Sequence, residues 1–204
     1  MTETRVRVEH APVVLHTRPA LELDEEQFFE LCRINRDWRI ERSAEGDLEI
    51  TAPTGGATSD RNSEINMQLR QWAKRDGTGV VLESNGGFIL SNGAMRSPDA
   101  SWMPRERLAE LTAEQKQRFL PLCPDFVIEL RSPSDPLIPL EAKMHEYLEN
   151  GARLGWLLDP GEKKVHVYQL ETTLRILENP QKVSGDPILE GFVLDLRPIW
   201  EPGF

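Results

Sequence analysis

The chain has 204 residues, 39% apolar and 28% charged, which is enough for one sizeable core and too rich in Leu, Ile, Val and Trp for a disordered segment. Its 34 acidic and 24 basic side chains leave a formal charge of −10. That excludes a surface that is basic all over and leaves room only for a local nucleic-acid groove.

Residues 4–17 alternate weakly and are read as an edge strand or a partner-binding arm, so that residues 1–21 stand apart from a single domain over 22–204. Residues 23–34 read as a helix, with Asp24 as its cap, Glu25 and Glu26 in the first turn, and Phe28, Leu31 and Cys32 on its apolar face. Residues 38–42 and 48–51 read as a hairpin turned through Ala44-Glu45-Gly46-Asp47. Ile65, Leu69, Trp72 and Ala73 recur at helical spacing within residues 59–74, and Asp76-Gly77-Thr78-Gly79 stops that helix. Short strands follow at 80–84 and 88–90. Ser91-Asn92-Gly93 turns the chain into a strand at 95–103, and residues 105–118 carry helical fragments.

Residues 126–130 form an apolar run suited to a buried strand, broken by Ser132-Pro133-Ser134-Asp135-Pro136. A helix is predicted over 137–150, ended by Gly151. Residues 154–159 read as a second buried strand, turned by Pro160-Gly161 into 164–168, with further strands at 172–177 and 192–196. A helix between the strands at 126–130 and 154–159 makes those two parallel, while the short turns before them predict an antiparallel meander. The expected architecture is α/β, a mixed central sheet flanked by helices.

Cys32 and Cys123 are far apart, match no metal spacing and sit among apolar neighbours, so both read as buried free thiols of a reducing compartment. The start Met1-Thr2-Glu3-Thr4-Arg5 lacks a signal-peptide pattern. No apolar run reaches the roughly 18 residues of a spanning helix. The expectation is a cytoplasmic protein with no membrane partner.

G-x-G-x-x-G, Walker, G-x-S-x-G and H-E-x-x-H patterns are all absent, and His10, His16, His145 and His166 lack the paired spacing of ligands. The informative residues are acids set inside apolar strands, because a buried unpaired carboxylate costs several kcal/mol. Alternation places Phe126, Ile128 and Leu130 on one face and Val127, Glu129 and Arg131 on the other. Glu129 therefore needs a cation, and a plain pair with Arg131 or a lysine is the simple alternative. Asp99 points away from Pro98, Ala100 and Trp102, between Ser97 and Ser101, whose hydroxyls are placed to orient it; an Asx turn after Pro98 is the alternative. Two such acids on adjacent strands suit one hard divalent cation. Lys143 borders the apolar stripe of Leu137, Leu140, Met144, Tyr147 and Leu148. Either it snorkels to solvent or it reaches back to the carboxylates.

Pro98-Asp99, thirty residues before Glu129 and followed by a helical lysine, resembles the PD-(D/E)XK nuclease superfamily. More closely, residues 22–197 resemble the Uma2 family of restriction-endonuclease-like proteins. The matching stretches are Trp38-Arg39-Ile40-Glu41-Arg42 with Gly46, Ala52-Pro53-Thr54-Gly55-Gly56, Arg96-Ser97-Pro98-Asp99 and Phe126-Val127-Ile128-Glu129-Leu130-Arg131-Ser132-Pro133-Ser134. Lys143 with Tyr147, Gly151, Trp156-Leu157-Leu158-Asp159-Pro160 and Leu189-Glu190-Gly191-Phe192 complete the match.

The resemblance implies a restriction endonuclease-like core of helix, three strands, helix and strand. It implies Asp99 and Glu129 as ligands of Mg²⁺ or Mn²⁺, Lys143 as the lysine that steers the attacking water, and Glu41 as a further acid at the site. The implied activity is phosphodiester hydrolysis in nucleic acid, DNA above all, and cutting both strands suits a homodimer. Arg131 stands where the superfamily's usual lysine would be, and an arginine stays protonated, so the lysine's role passes to Lys143. The rival reading is a catalytically silent module of the same fold that binds nucleic acid or a protein partner. Arg96, Arg105, Arg107, Lys116 and Arg118 are the candidates for a local basic groove.

Overall fold

The computed structural model describes residues 12–203. In chain order its elements begin with β1 (Val13–Leu15), α1 (Glu25–Ile34), β2 (Arg39–Arg42), β3 (Leu48–Thr51), α2 (Gly56–Asp76) and β4 (Gly79–Glu83). Then come β5 (Phe88–Ile89), β6 (Met95–Arg96), β7 (Ala100–Pro104), α3 (Arg105–Ala109), β8 (Phe126–Leu130) and α4 (Leu137–Glu149). The rest are β9 (Leu154–Asp159), β10 (Lys164–Gln169), β11 (Arg175–Glu178), β12 (Lys182–Ser184), β13 (Val193–Asp195) and α5 (Arg197–Trp200).

The central sheet has six strands in the order β11-β10-β9-β8-β7-β4. β8 and β9 pair in parallel through the α4 crossover, and every other pairing in that sheet is antiparallel. Both parallel strands are buried at every position, as strands covered on two faces must be. Phe126, Ile128 and Leu130 pack with Ile65, Leu69 and Trp72 of α2 on one face of the sheet. Val127 faces the other way, toward Met144 and Tyr147 of α4. Glu129 shares the parity of Val127, so its carboxylate is delivered beneath α4.

A second, antiparallel sheet runs β1-β3-β2-β6-β5 and carries a smaller core of Phe28, Ile40, Leu48 and Met95. Here the expected meander is corrected. The stretch 95–103 is two strands, β6 in the second sheet and β7 in the central one, and β4 pairs with β7 rather than with β5. Ser97-Pro98-Asp99 makes the change of sheet, where a proline without an N–H cannot continue a ladder. β1, within the expected arm, pairs with β3 at the edge of the second sheet; residues 1–11 of that arm lie outside the described residues.

Local chemistry sets the boundaries. Asp24 and Gln27 form a reciprocal capping box at α1, with bonds of 2.8 and 3.0 Å. Gly77 closes α2 in the left-handed region at φ 77°, a conformation open to glycine at little cost. Sequence periodicity did not indicate β12 or α5.

Candidate active site

β7 and β8 are antiparallel with Ala100 opposite Ile128, so the start of β7 and the end of β8 meet at one end of the central sheet. Asp99 precedes β7 and Glu129 lies near the end of β8, and both therefore face the same space. β2 adds Glu41 from the second sheet, and α4 adds Lys143 and Tyr147. The carboxylates are buried: Glu41 and Asp99 are 6% exposed and Glu129 is 3% exposed.

The Lys143 ammonium lies 2.8 Å from Oε2 of Glu41 and 2.9 Å from Oε1 of Glu129. Of the two orientations left open by the sequence, it adopts the inward one. Tyr147 donates its hydroxyl to the same Glu129 oxygen at 2.9 Å. Asp99 accepts the Leu130 backbone N–H at Oδ2 (2.8 Å) and Nη1 of Arg39 at Oδ1 (2.9 Å). Neither serine hydroxyl expected to orient Asp99 bonds to it among the described residues: that of Ser101 donates to the carbonyl of Leu82, and Ser97 contributes only its backbone N–H, to Glu41. Arg131 turns away to Asp159 (2.6 Å) and the Asp135 carbonyl, so the simple Glu129–Arg131 pair does not form.

Electrostatics differ sharply between neighbouring acids. Burial pushes the Glu129 carboxyl up from its ordinary value, with Lys143 opposing. Burial also works on Glu41, yet Lys143, Arg39 and Arg96 together hold it well below the usual carboxylate range. Lys143 is desolvated as well, but Glu129 and Glu41 more than compensate and raise its pKa. Arg96, only 7% exposed, joins this network through Glu146 at 2.6 Å, Glu49 at 2.8 Å and Glu41 at 3.6 Å. Counted formally, Glu41, Glu49, Asp99, Glu129 and Glu146 outnumber Arg39, Arg96 and Lys143 by two charges. A cavity of about 550 Å³ opens over the group, walled by Pro12 and Val14 on the β1 side and by Pro136 and Pro139 at the start of α4.

The candidate basic groove is not assembled. Arg96 is enclosed at the site, while Arg107 pairs with Asp125 at 2.5 Å and Arg105 bonds the Gly77 carbonyl, both at the opposite end of β7 and β8. Arg118 pairs with Glu26, and Lys116 lies exposed on the turn at Gln115–Gln117. The described histidines stand elsewhere: His16 pairs with Asp47, His145 packs on Tyr168, and His166 is buried in β10. His10 lies outside the described residues.

Sequence reasoning missed Arg39 and Tyr147 as site residues. Tyr147 stands four after Lys143 on one helix face, so its spacing carried a signal, whereas Arg39, on a four-residue strand, read as an ordinary solvated charge.

For a divalent cation, Asp99 and Glu129 offer hard carboxylate oxygens, and Mg²⁺ is commonly held by one or two carboxylates with water completing the shell. Among the described residues, no three His, Cys, Asp or Glu side chains are gathered closely enough to coordinate an ion together.

Fold and site together define the class: an α/β domain of restriction endonuclease-like architecture, with strand-borne acids meeting a lysine from the crossover helix. The chain belongs to the Uma2 family, described as "Putative restriction endonuclease", whose profile matches residues 25–197. Among solved structures it is similar to "a putative nuclease belonging to DUF820" from Anabaena variabilis ATCC 29413. That likeness has a TM-score of 0.72 at 18% identity, over 87% of this chain and 97% of the other, and it speaks for the fold. No curated protein matches the sequence.

Proposed function

We propose that the protein is a metal-dependent endonuclease that hydrolyses phosphodiester bonds in DNA, using Mg²⁺ or Mn²⁺ held by Asp99 and Glu129. The observation that carries this reading is the convergence of those two carboxylates with Lys143 in one buried group opening on a cavity. A divalent cation there supplies positive charge against the phosphate and makes a water molecule easier to deprotonate. The Leu130 N–H fixes the Asp99 carboxylate. Tyr147 fixes that of Glu129. Lys143 stands beside both Glu41 and Glu129, placed to orient the attacking water and oppose the negative charge that develops on the phosphate. Glu41 anchors Lys143 and contributes the third acid. Cutting both strands calls for two such sites, which a two-fold homodimer supplies.

The rival, a silent module of the same fold, draws on one observation: Arg39 and Lys143 already neutralise the site carboxylates. Incubating plasmid and single-stranded DNA with the protein and Mg²⁺, beside Asp99→Asn and Lys143→Met, separates the two. Cleavage by wild type alone, abolished by chelation, is expected. Equal cleavage by all three proteins, or none by any, overturns the nuclease reading.

A further inference from the structure

Arg39 bridges the two carboxylates to which the metal is assigned. Its Nη1 lies 2.9 Å from Oδ1 of Asp99, and its Nη2 lies 3.3 Å from Oε1 of Glu41 and 3.9 Å from Oε2 of Glu129. Nη2 also donates to the Ser97 carbonyl. One guanidinium thus stands between acids that come from two different sheets. The Glu129 contact is the loosest of these, beyond hydrogen-bond reach and purely Coulombic.

The three cations of the site are not equally confined. The side chains of Lys143 and Arg96 are 10% and 7% exposed, and each is gripped by at least two carboxylates at 2.9 Å or less. The Arg39 side chain is 30% exposed and lines the cavity. It is therefore the cation with somewhere to go. A divalent ion entering between Asp99 and Glu129 would meet the guanidinium at a few ångströms in a poorly solvated site, where like charges repel strongly.

We propose that Arg39 is a resident counter-ion that holds the cation position in the metal-free protein. A divalent ion and the guanidinium compete for Asp99 and Glu129, and metal binding sends Arg39 into the cavity, where it faces an incoming phosphate. The inference rests on the metal-site reading above. It gives Arg39 a role distinct from that of Lys143, which stays with Glu41 and Glu129 throughout. It also explains why the carboxylates are held apart around a positive group instead of repelling one another.

The test measures Mn²⁺ binding by electron paramagnetic resonance for wild type, Arg39→Met and Asp99→Asn. In parallel, the arginine Nε–Hε resonances of the wild type are followed during a Mg²⁺ titration. Arg39→Met is expected to bind Mn²⁺ about tenfold more tightly or better, because a competing charge is gone. Asp99→Asn is expected to lose binding, and the Arg39 resonance is expected to shift and saturate with Mg²⁺. Unchanged or weaker Mn²⁺ binding by Arg39→Met, with binding still sensitive to Asp99→Asn, overturns the counter-ion role and leaves the metal site standing. An Arg39 resonance unmoved at saturating Mg²⁺ does the same in the unaltered protein, so the question is decided even where the variant fails to fold. Mn²⁺ bound by neither wild type nor Arg39→Met overturns the metal reading itself, and this inference falls with it.

Discussion

The ammonium of Lys143 on α4 lies 2.9 Å from the Glu129 carboxylate on β8, and the same nitrogen reaches Glu41 on β2. One side chain thus ties the crossover helix to both sheets. Removing it leaves two buried carboxylates confronting each other with only Arg39 and Arg96 nearby. Lys143→Met is therefore expected to destabilise the metal-free protein by about 3–5 kcal/mol, the usual cost of breaking a buried pair from one side. Adding Glu129→Gln to that variant should recover part of the loss, since the orphaned charge goes too. Urea denaturation at neutral pH reads both numbers, and a cost below about 1 kcal/mol for the single variant would show that the pair is effectively solvated.

The thiols are predicted to be inert in the folded state. Cys123 is buried, while Cys32, expected to be buried as well, is only partly so; desolvation still pushes Cys32 up to about 11 and Cys123 up to about 12, so neither forms appreciable thiolate at neutral pH. Cys123 also donates to the Tyr147 carbonyl at 3.5 Å. A chromogenic disulfide reagent should therefore label neither cysteine on the timescale of minutes at pH 7.5 and both after unfolding in denaturant. Rapid labelling of Cys123 in the native protein contradicts its burial, and rapid labelling of Cys32 contradicts its raised pKa.

How far the sequence reached follows from how local each signal is. β8 and β9 are runs of five and six residues buried throughout, and their boundaries coincide with those read from apolar content and flanking turns. β5 and β6 have two residues each, a single period, so alternation cannot say to which sheet they belong. β6 is placed by its pairing with β2, long-range in sequence, and β5 by its pairing with β6, set by the turn between them. The same logic governs the site. Asp99, Glu129 and Lys143 were legible because a charge among apolar residues demands a partner. Arg39 was not, because a charged residue on a short amphipathic strand looks like any solvated face.

Glycine positions give a contrast in packing. A Cβ on Gly79 would overlap the Trp102 indole, which is 5% exposed and braced against Trp72 with ring centroids 5.7 Å apart. A Cβ on Gly155 would instead meet first the terminal methyl of Met144, the far end of a flexible thioether. Gly79→Ala is expected to cost about 1–3 kcal/mol as a rigid ring is forced aside. Gly155→Ala should cost clearly less. Thermal melts of the two variants check the order, and a reversal would mean that the indole has room to move.

His166 supplies a pH dependence separate from the site. Its ring is 4% exposed on β10, its Nδ1 has no hydrogen-bond partner among the described residues, and Glu141 stands 3.6 Å away. Burial lowers its pKa below the ordinary 6.5, against the pull of Glu141 and Asp159 and with Lys164 and Arg131 adding to the shift. Between that lowered value and 6.5 the unfolded chain binds the proton and the folded chain refuses it, so stability rises with pH across the window. The full contribution is present above pH 6.5 and is lost as pH falls through the folded-state value. The urea midpoint should therefore drop between pH 7 and pH 5, and His166→Gln should flatten that slope while leaving the midpoint above pH 7 less affected. Parallel slopes for the two proteins would show that His166 takes its proton as readily in the fold as outside it, against the burial that the structure gives it.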